Sequence, residues 1–112
     1  MISKTIKFEN PGNGKEYTLE FTRKTVEMME RQGFRADEAM EKPMTTLPKL
    51  FQGAFLAHHP RESKTVIDEI YASMTNRQEL ISKLIEMYNE PIATLLDEPE
   101  LSEGNVSWTT TW

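Results

Sequence analysis

Apolar and polar residues change their rhythm several times along this chain, and each rhythm predicts an element. Over the first 22 positions the alternation has a period of two: Ile2, Ile6 and Phe8, then Tyr17, Leu19 and Phe21, fall on one side of an extended backbone. Between the two runs lie Asn10, Pro11, Gly12, Asn13 and Gly14, a cluster of turn-forming residues, so the spacing predicts an antiparallel hairpin with strands near 2–9 and 15–22. The period then lengthens. Thr22 is placed to cap a short helix, Phe21 and Val26 are spaced as a hydrophobic staple, and Gly33 with Phe34 reads as a Schellman ending that folds back on Met29.

Residues 35–43 are polar and alternate in charge, a connecting segment with helical-turn character around 36–40. Leu47, Leu50, Phe51, Ala54 and Phe55 then recur at helical spacing, which predicts a helix capped by Thr45 or Thr46, with Pro48 in its first turn and Pro60 as its stop. Ile67, Ile70, Tyr71 and Met74 mark one face of a further helix over 63–74. Asn76 and Glu79 form a capping-box pattern ahead of the longest stripe in the chain: Leu80, Ile81, Leu84, Ile85, Tyr88, Ile92, Leu95 and Leu96. Pro91, which has no amide for the carbonyl of Met87, is expected to kink or restart that helix. Leu50, Phe51, Phe55, Ile67, Ile70, Leu84 and Tyr88 are the expected core. The fold class is therefore α+β, an N-terminal hairpin packed with about four helices.

The chain's end behaves differently. After an acidic linker the sequence Asn105-Val106-Ser107-Trp108-Thr109-Thr110-Thr111-Trp112 consists almost wholly of strand-favouring residues, with Val106, Trp108, Thr110 and Trp112 on one side. Both tryptophans of the protein are here. Three readings stand side by side: a third strand on the chain's own hairpin, a strand donated to a neighbouring subunit or partner, and disorder. A lone hairpin is marginal and its open edges attract another strand, so Val106, Trp108 and Trp112 are the candidate partner-binding residues. The organisation expected is one domain over 1–97 and an acidic linker with a tryptophan-containing tail over 98–112.

Composition narrows the function. With 112 residues, 38% apolar, 28% charged and no cysteine, the chain has the balance of a soluble domain, not of a membrane or disulfide-built one. Its alternating N-terminus lacks the apolar run of a signal peptide, and no segment is a membrane span. The net charge of −5 lies wholly in 77–112, where two basic residues face seven acidic ones; each earlier stretch is balanced. Without a basic stripe, nucleic acid is not an expected partner.

Catalytic and metal patterns are weak. Gly12 and Gly14 sit in a hairpin turn, not between a strand and a helix, so they read as turn residues and not as a phosphate loop. His58 and His59 are adjacent, not at the i, i+4 spacing that shares a metal; the bland reading puts His58 at the core margin and His59 in water. Asp37, Glu38 and Glu41, or Asp68 and Glu69, lie among Arg35, Lys42 and Lys64 and read as solvated faces. Gly53 in mid-helix fits a close helix crossing, and about half of the seven methionines fall at or near core stripes. No enzyme activity, cofactor or metal is expected.

The order of parts, and above all the block Met44-Thr45-Thr46-Leu47-Pro48-Lys49-Leu50-Phe51-Gln52-Gly53-Ala54-Phe55-Leu56-Ala57-His58-His59-Pro60, resembles the tail assembly chaperones of long-tailed bacteriophages and prophages. A polar cap for the next helix, Ser63 or Thr65, follows that block, and an acidic linker with a tryptophan-rich end closes the chain. The resemblance implies a non-enzymatic protein of the infected bacterium's cytoplasm. It would bind the tape measure protein, keep it soluble during tail assembly and self-associate into oligomers, and it is not expected in the mature virion. The alternative is a small mobile-element regulator or inhibitor that binds a protein through its acidic C-terminal part.

Overall fold

A computed structural model describes residues 4–96 and 104–112. Its elements run β1 (Ile6–Asn10), β2 (Lys15–Leu19), α1 (Arg23–Arg31), a 3₁₀ turn (Ala36–Glu38), α2 (Pro43–Gly53), α3 (Lys64–Ser73) and α4 (Arg77–Thr94). This is the α+β fold expected, a two-stranded antiparallel hairpin followed by four helices. Phe8 faces Tyr17 and Ile6 faces Leu19. The connecting turn closes where the Gly14 amide reaches the Asn10 carbonyl at 2.8 Å, with Gly14 in the left-handed region at φ 70°. Ile2 and most of the acidic linker (residues 97–103) lie outside the described residues.

The start and end of α1 follow from local chemistry. Thr22 caps it reciprocally with Thr25: each backbone amide donates to the other's hydroxyl, at 2.9 and 3.2 Å. At the far end Gly33 takes φ 87°, its amide bonds the Glu30 carbonyl and the Phe34 amide bonds that of Met29, both at 3.0 Å, which is a Schellman closure. Ser63 caps α3 through the Val66 amide.

Aromatic rings join hairpin and helices into one core. Phe8, Tyr17, Phe55 and Phe51 form a chain of ring contacts 5.1–5.5 Å apart through Tyr17 and Phe55, and Phe21 and Phe34 both meet Tyr88 on α4. Leu50, Phe51, Phe55, Ile67, Ile70, Leu84 and Tyr88 are all buried, as the periodicities predict. Gly53 marks the crossing of α2 with α1: a Cβ there would collide with the sulfur and methyl of Met29.

Several local expectations are corrected. Helix α2 begins at Pro43, a full turn ahead of Thr45 and Thr46 as caps, because Pro43 fills the first helical position where no amide is needed; Pro48 is consequently interior. The helix also stops at Gly53, short of Pro60, and turns carry the chain through residues 54–58. That early stop rotates the two histidines. His59 is the half-buried one, packed on the Tyr17 ring at 4.9 Å, and His58 is exposed. Asn76 adopts φ 52° and its side chain donates to the Glu79 carboxylate at 2.7 Å without capping any amide. Helix α4 runs through Pro91 without a restart, and its buried face is Leu84, Met87, Tyr88 and Pro91. Ile92, Leu95 and Leu96 are exposed; the part of α1 that borders Ile92 and Leu95 presents Arg23, Glu27 and Glu30, with Val26 as its one apolar residue.

The two edges of the hairpin are treated unequally. On β2 the outward amide of Thr18 is taken by His59 Nε2, and just past it that of Glu20 by the Ala54 carbonyl, both at 3.0 Å. The connection after α2 therefore covers the second half of that edge. The C-terminal segment adds no third strand: the sheet has two strands, and residues 105–112 carry neither helix nor strand.

Candidate partner-binding site

Val106, Trp108 and Trp112 are 92%, 79% and 98% exposed, so the structure leaves both indoles in solvent and builds no pocket from them within the chain. Large exposed aromatics close together on one segment are a feature of contact surfaces.

A second surface is built by the fold. Helices α2 and α3 diverge to leave a groove of about 490 Å³. Half-buried Pro48 and buried Phe51 from α2 and half-buried Tyr71 from α3 form its apolar floor, exposed Met44 stands at its edge, and Lys49, Lys64 and Arg77 line the rim with Asp68 as the single acid. Arg77 lies over the Tyr71 ring at 5.6 Å, and Tyr71 in turn rests on Phe51 at 5.0 Å, so the floor is anchored to the core. Exposed Met40 stands just ahead of α2, and flexible thioethers of this kind adapt to varied apolar partners. Sequence reasoning missed this groove. Taking Thr45 or Thr46 as the cap left Met44 outside the helix, whereas Met44 and Pro48 at i, i+4 on a helix from Pro43 would have shown a second apolar stripe off the core face.

The strongest polar cluster is a latch between the hairpin and the α2–α3 connection. The Tyr17 hydroxyl donates to Glu62 Oε2 at 2.8 Å and accepts from Asn13 Nδ2 at 3.0 Å, and the Ser63 amide donates to Glu62 Oε1. The Tyr17 bond, helped by the Ser63 amide and Lys15, holds the Glu62 carboxyl below the usual carboxylate range. Burial pushes the Tyr17 hydroxyl up. Burial, with His58 beside it, also lowers His59, whose ring accepts the Thr18 amide as a neutral base. An ionised acceptor and a firmly protonated donor hold geometry; they are poorly matched for proton exchange near neutrality. His58 Nε2 meets Glu20 Oε1 at 2.6 Å on the same side. Among the described residues no three His, Asp or Glu side chains are grouped to hold a metal ion, and no helix is long and apolar enough to cross a membrane.

What the fold and its surfaces define is a small α+β domain with an apolar groove and a projecting aromatic segment. The family model described as a domain of unknown function, DUF5055, matches residues 2–112, and the chain belongs to that family. Neither the curated proteins nor the solved structures contain a match to it.

Proposed function

We propose that this chain is a non-catalytic binding protein, a tail assembly chaperone that holds the helical tape measure protein of a long-tailed phage in solution inside the bacterial host. The observation that carries the reading is the α2–α3 groove. An amphipathic helix docks by laying apolar side chains at i, i+3 and i+4 into a hydrophobic channel, and Met44, Pro48 and Tyr71 provide such a channel. Its rim of Lys49, Lys64 and Arg77 favours a partner helix flanked by acidic residues. The block 44–60 that carries the resemblance supplies one wall of this groove, which links the family reading to a surface and not only to a pattern.

Co-expression tests it. A tape measure fragment that pellets alone should remain soluble with this chain, and Met44→Glu, at an exposed position, should abolish the rescue without altering the fold. If the fragment pellets equally with and without the folded wild-type chain, the chaperone reading fails.

A further inference from the structure

We infer that β1 is the acceptor edge for strand exchange between two copies of this chain, with residues 106–112 of one copy adding to the hairpin of the other. The inference goes beyond the chaperone reading and does not depend on it. The pairing alternation decides which groups of β1 are available. Thr18 sends its amide away from β1, so Lys7 and Thr18 form a non-hydrogen-bonded pair, and the amides and carbonyls of Lys7 and Glu9 point outward. Among the described residues no acceptor meets those two amides, whereas on the opposite strand the Thr18 amide is taken by His59 and, just past β2, the Glu20 amide by the Ala54 carbonyl. Among the described residues the hairpin thus has one edge, β1, with its outward amides unpaired and one, β2, that is covered from Thr18 onward.

The segment that matches the open edge is on the same chain. Ile6 and Phe8 of β1 turn toward the core and are half-buried, while Lys7 and Glu9 are exposed. A strand carrying Val106, Trp108, Thr110 and Trp112 on one face and Ser107, Thr109 and Thr111 on the other continues both faces of β1 in a single register. Among the described residues of one copy the β1 amides and the indoles, 79% and 98% exposed, stand open together, so a second copy is the occupant that satisfies both. Size favours a reciprocal exchange. Two tryptophans bury about 300–500 Å²; one strand alone falls short of the roughly 1,000 Å² of a specific interface, and two related by a twofold axis, with the surface they cover, pass it.

Two full-length variants test the exchange. Lys7→Pro removes an outward amide from the acceptor edge at a position where the β1–β2 bonds do not need it, and Trp108→Asp spoils the donor strand. Glu9→Pro replaces Lys7→Pro should the latter fail to fold by circular dichroism. Sedimentation velocity should show wild type self-associating with concentration and each variant weakened at least about 30-fold, the effect of losing a hot-spot tryptophan. Mixing the two variants should restore one of the two exchanges, giving a heterodimer tighter than either variant alone but weaker than the wild-type dimer. Hydrogen exchange should show the Lys7 and Glu9 amides protected in the wild-type oligomer and open in the diluted monomer. Protection of those amides in a monomer would mean that the chain's own segment pairs, and would overturn the inference. A wild type monomeric at every concentration, or folded variants that associate as tightly as the wild type, would overturn it equally.

Discussion

The body of the molecule and its C-terminal segment use the same side-chain chemistry to opposite ends. Between β1 and α4 the aromatic rings are turned inward and interlock: Tyr17, Phe51 and Phe55 are each 1% exposed or less, and Phe21 and Phe34 close on Tyr88. In residues 104–112 the largest side chains in the sequence stand in water. The difference lies in what surrounds each set. The core rings belong to strands and helices whose periodicities point them at one another, and the hairpin edge nearest them is covered at Thr18 and Glu20 by His59 and Ala54. The segment's period-two pattern has no counterpart within its own chain except an edge, β1, that it does not occupy. Aromatic residues held out of a complete core are available for intermolecular contact.

The contrast breaks most readily at Phe55, where three elements meet. Phe55→Ala should cost about 3–5 kcal/mol in denaturant unfolding, since the rings of Phe8, Tyr17 and Phe51 cannot collapse into the space together. Gly53→Ala comes next, a net loss of about 1 kcal/mol: the new methyl meets Met29, and the overpacking exceeds the gain in helix propensity. A neutral or stabilising result there would show that Met29 moves aside freely.

The latch sharpens the comparison through pH. Glu62 and His59 both have folded pKa values below their usual ones, so both bind protons more readily when the chain is unfolded. Their contributions are complete above the unfolded values and are lost as pH falls through the folded ones, so stability should decline on acidification, first across the histidine range and then the carboxylate range. Tyr17→Phe removes the bond that lowers Glu62 and should cost stability at neutral pH while flattening the acid limb, measured by thermal melts from neutral to acidic pH. The smallest effect belongs to the segment: Trp112→Ser should change the melting of the diluted monomer by no more than about 0.5 kcal/mol.

Much of the body was legible in the sequence because its signals are local. Thr22, Gly33 and Ser63 act through amides within a few residues, and the stripes on α2, α3 and α4 name the core directly. Apart from the start of α2 at Pro43 and the missing cap at Asn76, which are local, the errors arose where a distant partner intervened. Nothing near His58 and His59 shows that β2 will claim the Ala54 carbonyl and the His59 ring, and that claim accompanies the end of α2 at Gly53. Likewise Ile92 and Leu95 keep the helical periodicity but border a part of α1 dominated by Arg23, Glu27 and Glu30. The groove was hidden for a related reason, since Lys49, Lys64 and Arg77 come from separate stretches of the chain, the first two of them in a charge-balanced one, and converge only when α2 and α3 are packed. For the segment, the alternation in 105–112 showed a strand former; which edge stands open required the hydrogen bonds on β2.

The most direct test uses the placement of the tryptophans, both of which lie in the segment and none in the body. Unfolding of a dilute sample is followed by far-ultraviolet circular dichroism and by tryptophan emission together. The account predicts a cooperative loss of helix with an emission maximum that is already water-like and does not move, and a blue shift of that maximum when the concentration is raised. Blue-shifted emission in the dilute monomer that reddens in step with the loss of helix would place the indoles in the chain's own core and contradict the account.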